Sequence, residues 1–107
     1  MHLLLFYEKV EGFEALQAPL ADAHRRHVMQ VASQGAMMLA GSLGSPDDGA
    51  ALILFEADSP SAVEAFANTD PYVIGGVVRR WMVRPWDLVV GAERVSQCGP
   101  SGNAAPG

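Results

Sequence analysis

Two histidines and one aspartate are the residues of this sequence that could carry out acid/base chemistry. His24 and His27 are three residues apart, so both project from one side of a predicted helix whose face is otherwise apolar. Asp70 opens the segment Asp70-Pro71-Tyr72. A carboxylate beside an imidazole fixes the imidazole tautomer, and such a pair can act as a general base or acid. The sequence therefore predicts a proton-transfer site if the fold brings His24 and Asp70 together.

Each of these residues also has a purely structural interpretation. A histidine on an apolar helix face is commonly a core residue held by a hydrogen bond. An aspartate before proline is a common N-cap, whose carboxylate accepts from the first free amides of a helix. The spacing of His24 and His27 would also suit two metal ligands, but zinc sites need three or four, and no third is suggested. We therefore expect no metal and no cofactor.

Three further residues are candidates for contacts with a small-molecule ligand. Tyr72 lies two residues after Asp70, His27 shares the apolar helix face with His24, and Ser42 lies at the end of a predicted strand. No nucleophile-elbow motif surrounds Ser42, so a small residue at a strand end is its simpler interpretation. We expect Tyr72, Ser42 and His27 to contribute to substrate binding, with His24 and Asp70 as the catalytic pair.

Arginine and tryptophan residues alternate along the segment 77–88. Such a pattern could line a pocket for an anionic or aromatic ligand. The arginines could equally pair with Glu56 or Asp87 at the rim of the fold, and this structural interpretation is the one that we favour.

The elements that must position these residues alternate along the chain. Apolar runs of strand length cover 2–7, 36–43, 50–57 and 77–88, and helical periodicity covers 14–34, resumes at Pro60 and ends in a short turn after Asp70. The order β-α-β-β-α-β predicts a ferredoxin-like α+β fold. In that fold, a four-stranded antiparallel sheet carries both helices on one face.

The predicted sheet has more apolar surface than two helices can cover. Leu3, Leu4, Leu5 and Phe6 are consecutive, so they cannot all face the helices. The mean hydropathy of +0.14 is also high for a small domain. Monomers seldom expose a large apolar patch. We therefore expect a two-fold homodimer that packs sheet against sheet, as a dimeric α+β barrel.

Composition excludes several classes of protein. The chain has 107 residues and a net charge of −5, and it shows no basic patch, so a nucleic-acid partner is not expected. It has no apolar run of about 20 residues, so we expect no membrane partner. It has no basic signal-peptide start, and its one cysteine cannot form an internal disulfide, so we expect a cytoplasmic protein. We predict one domain over 1–92 and a flexible polar tail over 93–107, which contains Cys98.

The sequence resembles the YciI-like (YCII-related) family over residues 1 to about 90. The resembling segments are Ala23-His24 with Gly35, Ala40-Gly41, Asp70-Pro71-Tyr72-Val73 with Gly76-Val77, and Val83-Arg84-Pro85-Trp86. The resemblance implies a ferredoxin-like fold, a dimeric α+β barrel, and His24 and Asp70 as the paired histidine and aspartate of the family's active site. His27 matches no motif residue, and Ser42 stands where the family usually has proline. The substrate class therefore does not follow from the resemblance.

Two functions are consistent with these observations. The first is a small cofactor-independent enzyme, of lyase, isomerase or dehalogenase type, in which a His-Asp pair moves a proton on a small organic substrate. The second is a non-catalytic small-molecule-binding or accessory dimeric module, in which the same pair only ties two helices together.

Overall fold

A computed structural model describes residues 1–91 of the chain. Its elements are β1 (His2–Lys9), α1 (Phe13–Gln17), α2 (Ala21–Ser33), β2 (Met37–Ser42), β3 (Ala50–Glu56), α3 (Pro60–Thr69), α4 (Pro71–Ile74) and β4 (Val78–Pro85), with 3-10 turns at Ala18–Leu20 and Pro46–Asp48. Residue 92 and the predicted tail 93–107 with Cys98 lie outside the described residues. Within 1–91, no helix is both long enough and apolar enough to cross a bilayer.

The four strands form one antiparallel sheet in the order β2-β3-β1-β4. β1 lies in the middle and pairs with β3 on one side and β4 on the other. This is the ferredoxin-like α+β arrangement, and the prediction from the element order is confirmed.

The core lies between one face of the sheet and the helices. Leu3, Leu5 and Tyr7 alternate along β1 with at most 2% exposure, as the two-residue period of a strand requires. Residues Val63, Phe66 and Ala67 of α3 and the partly buried Val28 and Val31 of α2 pack against this face. Both long helices therefore cover the same side of the sheet.

The opposite face of the sheet carries the intervening apolar side chains. Leu4 is paired with Leu54, and Phe6 with Leu52, in the ladder between β1 and β3. At the edges of this face, Leu39, Met82 and Trp86 are 62%, 42% and 46% exposed. Within 1–91, the helices α2 and α3 pack against the other face, so this face, which we call the open sheet face, has no helical cover from them.

The first helical region is interrupted, whereas the periodicity predicted one helix over 14–34. Pro19 lacks an amide hydrogen and its ring clashes with the preceding turn, so the chain forms the 3-10 turn Ala18–Leu20 and begins α2 at Ala21. Leu16, which an unbroken helix would place on the buried side, is 47% exposed as a result. Leu20, the last residue of the 3-10 turn, packs against the core.

The arginines of β4 have a different partner from those predicted. Arg80 Nη2 lies 2.6 Å from Glu8 Oε1, and Arg79 Nε lies 3.5 Å from Glu8 Oε2. The interpretation as rim ion pairs therefore holds, but the acceptor is Glu8 on the neighbouring strand rather than Glu56 or Asp87, because β4 pairs with β1 and places Arg80 opposite Glu8.

Candidate active site

His24 and Asp70 meet where α2 passes alongside α4. Nδ1 of His24 lies 2.8 Å from Oδ1 of Asp70, across 46 residues of sequence. Asp70 occupies the N-cap of α4 with an extended backbone, Pro71 takes the first helical position, and the Asp70 carboxylate accepts from the Tyr72 amide at 3.0 Å. The N-cap interpretation and the paired interpretation of Asp70 are therefore both realised by one side chain.

The Asp70 carboxylate is fully buried and accepts three hydrogen bonds. His24 and the Tyr72 amide donate to Oδ1, and the Tyr7 hydroxyl donates to Oδ2 at 2.6 Å. Burial acts to raise the pKa of Asp70, but the hydrogen bonds from His24, Tyr7 and the Tyr72 amide outweigh it and lower the pKa below its usual value. Asp70 is therefore an anion at neutral pH.

This anion determines which nitrogen of His24 carries the proton. An ionised carboxylate only accepts hydrogen bonds, so the hydrogen-bond network assigns the donated proton to Nδ1 of His24. In the neutral ring, Nε2 then holds the lone pair, and Nε2 has no hydrogen-bond partner within 1–91. The His24 side chain keeps 22% of its surface exposed and lines an open cavity.

Two aromatic rings complete the immediate surroundings of the pair. The Tyr72 ring stacks on the His24 imidazole with ring centroids 3.8 Å apart. Burial raises the pKa of the Tyr7 phenol, and its hydrogen bond to Asp70 raises it further, so Tyr7 stays protonated and donates. Tyr7 therefore acts as a fixed donor that holds the carboxylate in place.

The cavity beside His24 has a volume of about 310 Å³. Ligand pockets for small molecules begin at about 300 Å³, so this cavity suits a ligand of about one ring. Its wall combines polar and apolar side chains from β1, α1, α2, β2, β3 and α4: Tyr7, Lys9, Gln17, His24, Val28, Ala40, Gly41, Ser42, Ala51, Ile53 and Tyr72.

The structure brings four of the five predicted site residues together. His24, Tyr72 and Ser42 line the cavity, and Asp70 lies behind His24. His27 does not join them. Three residues correspond to about 4.5 Å along a helix, and this places His27 against α3, where its Nε2 donates to the Phe66 carbonyl at 3.0 Å and its ring stacks on Phe66. His27 therefore lies outside the cavity of His24, and its contribution to ligand binding stays a prediction.

Three cavity residues were not anticipated from the sequence: Tyr7, Lys9 and Gln17. Tyr7 ends the apolar run 2–7, a pattern that predicts a buried strand, although its hydroxyl donates to Asp70. Lys9 lies at an irregularity in the pairing of β1 with β4. One signal in the sequence could have identified Lys9. It continues the alternation of the inward-facing residues of β1, and it is the only lysine of the chain.

The residues in the range 1–91 include no cluster of three or more His, Cys, Asp or Glu side chains arranged to hold a metal ion. The chemistry available to this cavity from its own side chains is proton transfer by His24, together with hydrogen bonding by Ser42, Gln17 and Lys9.

Solved structures that share this fold include two that are compared with the chain below. One is the 5-chloro-2-hydroxyhydroquinone dehydrochlorinase of Burkholderia phenoliruptrix AC1100, in complex with 2,5-dihydroxybenzoquinone. It matches with a TM-score of 0.69 and 19% identity over 81% of this chain and 94% of that chain. The other is an antibiotic biosynthesis monooxygenase, with a TM-score of 0.52 and 15% identity over 82% of this chain and 97% of that chain. At these identities, the similarity shows the fold.

Sequence comparison gives the family. No curated protein matches the chain. The model of the YCII-related domain matches residues 1–87, which include all four strands, His24 and Asp70. This chain therefore belongs to the YCII-related domain family.

Proposed function

We propose that this protein is an acid/base catalyst that moves a proton on a small single-ring organic substrate, with His24 as the base. The observation that carries the proposal is the hydrogen bond from Nδ1 of His24, a residue that lines an open cavity, to the buried anion of Asp70. The Nε2 lone pair is then free to accept a proton from a ligand in that cavity. The reaction class is elimination or isomerisation.

The reaction would begin with Nε2 of His24 accepting a proton from a C–H or O–H bond of the substrate. The electron pair of that bond forms a new double bond, and in an elimination a leaving group departs with its own electron pair. Asp70 stabilises the imidazolium that forms, because its carboxylate is already hydrogen-bonded to Nδ1. The proton then returns to the substrate in an isomerisation, or to solvent in an elimination.

The dehydrochlorinase with the same fold supports a substrate of this kind. Its name describes the loss of hydrogen and chloride from a hydroxylated ring, and its complex contains a hydroxylated quinone. A molecule of one ring also suits the cavity of about 310 Å³ beside His24. We therefore propose a hydroxylated aromatic or quinone-like substrate for this chain.

The experiment is to incubate the purified protein with 5-chloro-2-hydroxyhydroquinone without oxygen and to measure chloride release. Solvent deuterium uptake at ring carbons of 2,5-dihydroxybenzoquinone is followed in parallel by NMR. Wild-type protein should accelerate at least one of these reactions. The His24→Ala and Asp70→Asn variants should lose about 10²-fold or more of that rate, the usual size of a general-base contribution.

His27→Ala is the matched control, because His27 is on the same helix but faces α3. That variant should keep the wild-type rate. If both His24→Ala and Asp70→Asn keep the wild-type rate and ligand binding, the pair has only a structural role between the helices. That result would favour the alternative of a non-catalytic binding module.

We also propose that the protein forms a homodimer through the open sheet face. Leu4, Phe6, Leu52 and Leu54 form its centre, and the exposed Leu39 lies beside them. A face related to itself by a two-fold axis buries its own apolar surface, since each side chain meets the equivalent face of the other copy. This arrangement would leave the cavity of His24 on the helix side of each subunit.

A further inference from the structure

Lys9 places an ammonium group in the wall of the cavity that contains His24. Its Nζ donates to Gln17 Oε1 at 2.9 Å. The same nitrogen lies 4.9 Å from the ring centroid of Phe13 and 5.3 Å from that of Tyr72. The two rings and the amide hold the ammonium in position, because aromatic faces attract cations at this range.

The positive charge of Lys9 has no close counter-ion within residues 1–91. The ion pairs in this range join Arg25 to Asp22, Arg79 and Arg80 to Glu8, and His24 to Asp70. The Asp70 carboxylate already accepts three hydrogen bonds, none of them from Lys9. An ammonium has three N–H groups, and Gln17 takes one, so two donors remain for a ligand.

The surroundings of this ammonium are partly desolvated. Burial lowers the pKa of Lys9, although the charges of Asp70 and Glu14 oppose that effect at longer range. A cation in such a place gains more from an anionic ligand than a fully solvated one, because less water must be displaced when they pair.

The rest of the cavity wall favours a flat apolar ring. Val28, Ala51 and Ile53 supply apolar surface between Lys9 and the edge strand, where Ser42 offers a hydroxyl. His24, the proposed base, lies on the same wall. A single ring placed here would have room for one ionised substituent at Lys9 and one reacting position at His24.

We propose that Lys9 is the anion-binding residue of this cavity and that the substrate is a single-ring molecule carrying an ionised oxygen, which Lys9 pairs with while the ring lies beside His24. The shared chemistry is an enolate, phenolate or carboxylate oxygen. The assignment of a reacting position at His24 rests on the proposed function, whereas the selection of an anion by Lys9 does not. During proton abstraction, the same ammonium would stabilise negative charge that develops on the ring oxygen.

The experiment compares two probes of nearly equal shape, salicylate and salicylamide, which differ in the charge of one substituent. Binding is measured by calorimetry and by NMR. Because Lys9 is the only lysine of the chain, incorporation of ¹³Cε-labelled lysine gives one lysine signal to follow and keeps all three N–H groups of the ammonium. Wild-type protein should bind salicylate about tenfold more tightly than salicylamide, as expected for a charge-assisted hydrogen bond, and salicylate should shift the Lys9 signal.

Lys9→Met should abolish this preference, because methionine keeps the apolar stem and removes the charge. Lys9→Arg should restore part of it. Equal binding of the two probes by wild-type protein, no binding of either, or an unchanged preference in Lys9→Met would each overturn the assignment.

His24→Gln separates this inference from the proposed function. That variant should retain the preference for salicylate, because Lys9 selects the charge independently of the base. Loss of turnover in His24→Gln with the preference intact supports both claims. If His24→Gln keeps both the preference for salicylate and the wild-type turnover, the catalytic role of His24 is wrong and the role of Lys9 stands.

Discussion

The imidazole of His24 lies flat against the phenol ring of Tyr72, with ring planes 5° from parallel and ring centroids 3.8 Å apart. The same four-residue helix that supplies this ring also supplies Asp70 at its N-cap. The carboxylate fixes the rotation of the imidazole within its plane, and the stacked ring fixes the plane itself. One short segment, Asp70-Pro71-Tyr72, therefore sets the orientation of His24.

Removing the stacked ring should loosen His24 without removing its hydrogen bond. An aromatic pair contributes about 0.5–1.5 kcal/mol beyond its buried area, which corresponds to a rate change of up to about tenfold. Tyr72→Leu should therefore reduce the proton-transfer rate by that amount, measured by chloride release or deuterium uptake. Tyr72→Phe keeps the ring and should stay within about twofold of wild type; equal rates in both variants would show that the stack does not position His24.

Removing the buried carboxylate should destabilise the fold strongly. Asp70→Ala leaves the Tyr7 hydroxyl, the His24 ring and the Tyr72 amide without their acceptor. Loss of one member of a buried hydrogen-bonded charged group costs about 3–5 kcal/mol, so urea unfolding should show a decrease of that size. Tyr7→Phe removes a single donor and should cost about 1–2 kcal/mol. A loss below about 1 kcal/mol in Asp70→Ala would contradict the observed network.

Stability should depend on pH through Asp70. Burial would raise the pKa of this carboxyl, but three hydrogen bonds more than offset it and lower the pKa below the usual value of about 3.9. The unfolded chain therefore takes up this proton at a higher pH than the folded one. The contribution of Asp70 is complete above about pH 4 and is lost as pH falls through the folded-state pKa.

The measurement is the free energy of unfolding from pH 7 to pH 2.5, for wild-type protein and Asp70→Asn. The difference between the two should shrink below about pH 4. Asp22→Asn is the control, because Asp22 is 80% exposed and should show little such trend. A wild-type advantage over Asp70→Asn that stays constant down to pH 2.5 would be inconsistent with a lowered pKa at Asp70.

A side chain at Gly75 should be destabilising, because Gly75 lies where the end of α4 meets the chain before α2. A Cβ at this position would collide with Cδ1 of Leu20 and lie 3.0 Å from the carbonyl oxygen of Pro71. Gly75→Ala should lower the free energy of unfolding by about 1–3 kcal/mol, the usual cost of overpacking. In a Leu20→Ala background the added cost should be smaller, and a cost that is fully additive would rule out the steric explanation.

A charge on the open sheet face should dissociate the proposed homodimer. Leu39 is 62% exposed on this face, and Ile74 is 71% exposed on α4 at the opposite side of the molecule. Leu39→Glu should give a monomer by light scattering at micromolar concentration, because it would bury two unpaired carboxylates at a two-fold interface. Ile74→Glu, the matched substitution, should stay a dimer. A wild-type monomer would contradict the proposal outright.

The sequence predicted the fold because its local signals agree with one another. Strand-length apolar runs, the turn cluster before Ala50 and the Asp70-Pro71 start of α4 each indicate a boundary that the structure also has. The error in the first helix came from periodicity, which continued through Pro19 although proline cannot continue a helix without disruption. Spacing alone therefore predicts too long a helix, and the interruption leaves Leu16 47% exposed.

The candidate site was only partly visible in the sequence. His24 and Asp70 stood out because polar residues interrupt apolar or turn patterns there. His27 interrupts the same pattern equally well. The family resemblance favours His24, and the packing of α2 against α3 shows where His27 lies instead. Lys9 and Tyr7 could not be identified as cavity residues for a different reason. Alternation along a strand tells which face of the sheet a side chain is on, but a side chain that lines a cavity and one that packs in the core can be on the same face.

The central claim is that Asp70 holds the proton of His24 on Nδ1, so that the Nε2 lone pair faces the cavity. The most direct measurement is the long-range ¹H–¹⁵N correlation spectrum of the neutral His24 ring, with its signals assigned by comparison with His24→Gln among the three histidines of the chain. The structure predicts a protonated Nδ1 and an unprotonated Nε2, a preference that should weaken in Asp70→Asn. A proton found on Nε2 in the wild-type protein would contradict the claim.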